Sequence, residues 1–134
     1  MQLNLDQDPI RHRIRAYGRD AILLVDRDLR GSCIVSASQV VEGWAVHAPA
    51  QLTLATMQPL LAVAPRIVLL GTVETGQRLP AGLRAALEAR GIAVELMELG
   101  AACRTYNVLI QEGREVVAGL MLPAASAPEE DTGR

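Results

Sequence analysis

The densest run of chemically capable side chains is Cys103-Arg-Thr-Tyr-Asn107, shortly after Glu98-Leu-Gly100. A thiol in the first turn of a helix has its thiolate stabilised by the helix dipole, and a neighbouring guanidinium such as Arg104 adds to that effect. Nucleophilic catalysis also needs a base to take the proton. The two histidines, His12 and His47, both fall in or beside a strand-rich region far from Cys103 in sequence. A small thiol among Ala101, Ala102 and Val108 also packs well in a core, and packing is the reading adopted here for Cys103 and Cys33.

A second group is Gly71-Thr-Val-Glu74, at the end of an apolar run. In open α/β sheets ligands bind beyond the carboxyl ends of strands, near helix N-termini. If these two loops are adjacent, Gly71, Thr72, Glu74, Cys103, Arg104, Tyr106 and Asn107 form a candidate binding cleft with the helix that begins at Gly100. Within it Tyr106 and Asn107 are expected to hydrogen-bond the Gly71–Glu74 loop, leaving Arg104 exposed for an acidic partner or ligand. Other chemistry is not supported. Gly71-Thr-Val-Glu-Thr-Gly76 lacks the Gly-Lys-Ser/Thr ending of a phosphate loop and the spacing of a dinucleotide fingerprint. All 13 basic residues are Arg, so lysine Schiff-base and lysine general-base chemistry are excluded. No metal-ligand spacing surrounds either histidine, and no cofactor is implied.

These groups must be held by a chain of 134 residues, half of them hydrophobic and only 2% aromatic (Tyr17, Trp44, Tyr106). That length suits one domain with a core of Leu, Ile, Val, Ala and Met. The expected single domain spans residues 1–122, and Pro123 to Arg134, rich in Ala, Pro and acid, reads as a disordered tail. The first dozen residues read as a loose arm. Ile14-Arg-Ala16, Ala21-Ile-Leu-Leu-Val25 and Gly31-Ser-Cys-Ile-Val35 predict an N-terminal antiparallel meander, with a turn at Asp26-Arg-Asp28 and Trp44 over its apolar face. Thr53 or Thr56 is placed to cap a helix running to about Val63. Strand Arg66–Leu70, helix Ala81–Arg90 with Gly91 as terminator, strand Ile92–Met97, helix Ala101–Glu112 and strand Glu115–Leu122 then alternate. Alternation of this kind predicts a central, mixed, mostly parallel sheet with helices on both faces, a three-layer α/β arrangement.

Ala102-Cys-Arg-Thr-Tyr-Asn-Val-Leu109, followed by Glu112-Gly-Arg114 and Val116, resembles an uncharacterised family of small bacterial, archaeal and eukaryotic proteins. Leu69-Leu-Gly-Thr72, Leu79-Pro80 and Gly91-Ile92 extend the likeness, and it covers about Ile14 to Leu122. Mitochondrial members of that family include an assembly factor for respiratory complex I. The resemblance implies a three-layer fold with an extra antiparallel element and a last strand antiparallel to its neighbours. Two positions depart from the family pattern. Val73 stands where the family has a second Gly, and Leu99 where it tends to have Thr; both remove small or polar character from the cleft.

The leading expectation is a non-catalytic protein-binding module, an assembly or biogenesis factor, acting with a protein partner. The alternative is a small-ligand binder or enzyme using the cleft between Thr72 and the Gly100 helix. A net charge of −2 gives no overall pull toward nucleic acid. No apolar run approaches the roughly 18 residues of a membrane helix, the N-terminus lacks the pattern of a secretory signal, and the cysteine usage fits a reducing compartment. A cytoplasmic monomer or weak homodimer is expected.

Overall fold

The computed structural model describes residues 9–124. Residues 1–8 of the expected arm and 125–134 of the expected tail lie outside the described residues. A 3₁₀ turn at Pro9–His12 leads into β1 (Ile14–Tyr17), β2 (Ala21–Leu24), β3 (Asp28–Arg30), β4 (Cys33–Ser36) and β5 (Val40–Glu42). There follow α1 (Gln58–Leu61), β6 (Ile67–Thr72), α2 (Leu83–Glu88), β7 (Ala93–Glu98), α3 (Leu99–Gln111) and β8 (Val116–Met121). The alternation predicted for the second half is the one observed.

Val116–Met121 carries no charged residue, so it suits a strand covered on both faces. It lies at the centre of a five-stranded sheet ordered β5-β4-β8-β6-β7, and all its residues are buried. β8 is parallel to β6 and antiparallel to β4. The last strand is therefore antiparallel to only one of its neighbours, contrary to what the resemblance implies; the strand antiparallel on both sides is β4, between β8 and β5. Period-two alternation divides the sheet's side chains between two layers. Val116, Ala118 and Leu120 of β8, Leu69 of β6, and Cys33 and Val35 of β4 face α3 and the N-terminal strands. Val117, Met121, Val68, Leu70 and Ile34 face the opposite layer with Met57, Leu60, Leu83 and Leu87. Three layers result, with helices on both sides of a mixed sheet.

The meander differs from expectation in its third strand. β1-β2-β3 form a separate antiparallel sheet, and Asp28, expected in a turn, pairs with Leu23. Cys33–Ser36 leaves this sheet for the central one. The burial patterns give the reason: β3 is buried only at Leu29, whereas all four β4 residues are buried. A strand apolar on both sides belongs between two layers, not at a half-exposed edge. Gly31, at φ 73°, supplies the left-handed turn between the two sheets.

Trp44 is also displaced from its expected place. Its ring covers the central sheet on the side of α1 and α2, and its Nε1–H donates to the Thr56 carbonyl at 2.9 Å. Gly119 makes room for it, since a Cβ there would lie 2.9 Å from the indole. The helix expected from Thr53 or Thr56 shrinks to α1. The Thr53 N–H donates to the Thr56 hydroxyl at 2.8 Å and the Thr56 N–H to the Thr53 hydroxyl at 3.0 Å. These side chains close a separate turn ahead of the helix, as threonines do when they compete for backbone groups.

Leu120, fully buried, lies in register between Cys33 and Gly71. Leu120→Asp is expected to abolish the cooperative unfolding transition, because an unpaired buried carboxylate costs several kcal/mol. Urea denaturation followed by circular dichroism checks this; a soluble variant with a cooperative transition would contradict it.

Candidate functional site

The parallel half of the sheet brings the ends of β6 and β7 to the start of α3. Helix α3 lies unusually close to the sheet there. A Cβ on Gly71 would sit 2.9 Å from the Ala102 Cβ and 3.1 Å from Leu120 Cδ2, so the missing side chain is what permits the approach. Leu99, Ala102, Cys103, Tyr106 and Ile110 form the buried face of the helix.

Tyr106 and Asn107 point to the N-terminal strands instead of the Gly71–Glu74 loop. The Ile14 N–H donates to Asn107 Oδ1 at 2.9 Å, and Asn107 Nδ2 donates to the Ile14 carbonyl at 2.8 Å. One primary amide thus satisfies both polar groups of a backbone residue, as a neighbouring strand would. The preceding residue on the same helix adds a second tie, the Tyr106 hydroxyl donating to the His12 carbonyl at 2.9 Å. His12 is itself buried, and its Nδ1–H donates to the Ser36 carbonyl at 2.7 Å. Both side chains therefore have a structural role, as expected, but their partner segment is residues 12–14.

A cleft of about 390 Å³ does open beside the α3 start, lined by Tyr17, Arg19, Thr72, Glu98, Gly100 and Arg104 among others. Thr72 and Arg104 are the residues of the sequence-derived group that reach it. Thr72 is only 3% exposed and its hydroxyl accepts the Glu74 N–H at 3.3 Å. Glu74 is exposed. Arg104 is exposed, and its Nη1 donates to the Tyr17 hydroxyl at 3.4 Å. Tyr17 and Arg19 were not legible as cleft residues. They come from the end of β1 and the turn after it, 87 positions before Arg104 in the case of Tyr17, and nothing local marks them.

Cys103 lies within the core, 2% exposed, and does not line the cleft. Burial pushes its thiol up to about 12 despite the opposing pull of Arg104. Cys33 is likewise raised to about 12, first by burial and then by Cys103 and Glu42. Burial also raises the Tyr106 phenol. Neither thiol is a competent nucleophile near neutral pH.

One polar cluster escaped sequence reasoning. The buried Ser32 hydroxyl accepts the Leu122 N–H at 2.9 Å and donates to the Leu122 carbonyl at 3.2 Å, while His47 Nδ1 lies 3.0 Å from the same carbonyl. The Ser32–His47 separation of 3.4 Å has the look of a catalytic pair. The hydroxyl is instead saturated by backbone and anchors the chain as it leaves β8. Among the described residues no group of three or more His, Cys, Asp or Glu could hold a metal, and no helix is long and apolar enough to cross a membrane.

A mixed five-stranded sheet between helices, with a three-stranded antiparallel sheet packed on α3, defines a three-layer α/β class. The family described as "Protein of unknown function (DUF498/DUF598)" matches residues 14–121, and the chain belongs to it. The fold is shared with a Xanthomonas campestris protein solved by NMR, at TM-score 0.75 and 35% identity over 87% of this chain and 89% of that one. It is shared too with a Bordetella pertussis protein described as a Mth938-like domain, at TM-score 0.73 and 26% identity over 96% of each chain. Among curated proteins the chain is similar to NADH dehydrogenase [ubiquinone] 1 alpha subcomplex assembly factor 3. The cattle protein is 30% identical over 119 residues, 87% of this chain, and the human one 31% over 112 residues, 82% of this chain. The chain spans 64% and 60% of the length of these two relatives.

Asn107→Ala orphans both polar groups of Ile14 and should destabilise by about 1–3 kcal/mol. Hydrogen exchange should show the loss concentrated at residues 12–17; unchanged protection there would refute the strand-mimic role.

The thiols carry a second expectation. Above the free thiol's 9.0 an unfolded cysteine releases a proton that the folded chain holds until about 12. Stability is therefore complete below about pH 9 and falls as pH rises toward about 12. Melting temperatures measured along that range should decline. Iodoacetamide at neutral pH should label both thiols far more slowly in the native than in the urea-unfolded protein. Native labelling of Cys103 at the unfolded rate would overturn its assignment as packing.

Proposed function

We propose that the protein is a non-catalytic, protein-binding module that serves the assembly or biogenesis of a larger complex. The observation that carries this reading is its family membership together with the similarity, across more than four-fifths of the chain, to proteins named as complex I assembly factors. The geometry supports it. Cys103, Tyr106 and Asn107, the side chains best suited to chemistry, are occupied in packing and in holding the N-terminal strands. What the cleft offers to the outside is a short list: Tyr17, Arg19, Glu98 and Arg104. These groups suit recognition.

Residues 1–122 are proposed to act as one domain, a reading supported by the single apolar cluster that joins the meander, α3 and the central sheet. The free, buried cysteines favour a reducing, cytoplasmic setting, and a monomer or weak homodimer is proposed as the resting state. The alternative, a small-ligand binder or enzyme, has one observation in its favour, the 390 Å³ cleft beside Thr72.

Affinity purification of the tagged full chain from its native cell, with cross-linking mass spectrometry, should recover specific protein partners. Their cross-links should map near Arg104. A metabolite thermal-shift screen of the same protein should give no ligand that raises the melting temperature by several degrees. Cys103→Ser should leave partner capture intact. Failure to recover a partner, with a clear metabolite hit, would transfer the assignment to the ligand-binding alternative.

A further inference from the structure

Tyr17, 46% exposed, and Val108, 55% exposed, are two of the three large apolar side chains left open to solvent among the described residues. Tyr17 lines the cleft, and Val108 lies farther along α3. Tyr17 stands over Gly100, where a Cβ would collide with its hydroxyl. Val108 follows Arg104 by one turn on the same side of α3, and Ala101 precedes it by three residues, so Ala101, Arg104 and Val108 make one stripe. Across seven residues this stripe runs about 10 Å along the helix.

The charges beside this apolar surface are unbalanced. Arg19 and Arg104 come from different elements and both line the cleft. Neither has a carboxylate oxygen within 4.0 Å among the described residues. Glu98 is the single acidic residue of the cleft lining. A guanidinium takes a carboxylate through paired N–H donors, and an aromatic edge beside it takes an apolar side chain. A free small anion would answer the arginines and leave Tyr17 and Val108 uncovered.

We propose that this surface docks an acidic segment of a partner protein, with an Asp or Glu carboxylate at Arg19 and Arg104 and apolar side chains on either side of it, one against Tyr17 and another against Val108. The inference rests on the partner-binding reading above and adds the partner's chemistry to it. Interaction of this kind weakens as salt screens it.

The probe is the peptide acetyl-Leu-Glu-Leu-Glu-Leu-amide, compared with its Gln-for-Glu counterpart and with acetate alone, each titrated into the ¹⁵N-labelled full chain. The acidic peptide should shift the amides of Gly18, Gly100, Arg104 and Val108 saturably, and the Gln peptide should bind at least about tenfold more weakly. Arg19→Glu with Arg104→Glu should abolish the shifts while the melting temperature holds. Arg19→Gln with Arg104→Gln serves if charge reversal disturbs folding, and should weaken binding in the same direction. Equal binding of the acidic and Gln peptides, or undiminished binding by the double variants, would overturn the proposal. So would acetate shifting the same amides with the same affinity, since the site would then be one for small anions. In the cell-based experiment, partner capture that survives both double variants would sink this surface and leave the module reading standing. Absence of any captured partner would sink the module reading itself.

Discussion

The bond pair between the Asn107 amide and the Ile14 backbone is the constraint around which this molecule is arranged. A strand at the rim of a small sheet carries polar groups that need a partner, and here the partner is a helix side chain. The Ile14 N–H requires an acceptor and its carbonyl a donor, so the amide has one workable orientation. That orientation sets the distance and register between α3 and the meander. Tyr106 repeats the tie one residue away, at His12, and His12 passes it on to Ser36 of the central sheet. The N-terminal strands are thus fastened to both the helix and the sheet by bonds that leave few buried polar groups unpaired.

The tie works only because α3 lies low on the sheet. Gly71 and Ala102 provide that closeness, and a methyl group on Gly71 would force the helix outward. With α3 so placed, Cys103 meets the core and not solvent, and the turn bearing Tyr17 and Arg19 comes to rest over Gly100. The cleft is therefore a by-product of the same packing. Its walls are contributed by the helix start, the ends of β6 and β7, and a turn from the opposite end of the sequence. Chemical activity and structural duty compete for the same short segment, and structure has taken Cys103, Tyr106 and Asn107. Arg104, on the outer face of the helix, stays exposed.

Much of this was legible in the sequence, for identifiable reasons. Residues 66–122 announced their elements because short, largely continuous apolar runs alternate with a helical period and are punctuated by Gly91 and Gly113, both in left-handed conformation at φ 77° and 75°. The buried character of Val116–Met121 and the packing role of Cys103 followed from residue type alone. The boundary of the meander did not, because Asp28-Leu-Arg30 and Cys33–Ser36 are both short and strand-like, and only the layers on either side determine which sheet each joins.

What the sequence by itself determined is the set of elements, the three-layer α/β class and the family, since periodicity, breakers and the Thr105-Tyr-Asn107 to Glu112-Gly-Arg114 spacing are local properties of the chain. The partners of Asn107 and Tyr106, the transfer of β4 to the central sheet and the meeting of Tyr17 with Arg104 belong to the tertiary structure alone. Each joins segments tens of residues apart, and a hydrogen-bond donor carries no record of which distant acceptor will face it. That choice falls to the packing of two apolar layers on one sheet, which decides the neighbours before any polar group finds its own.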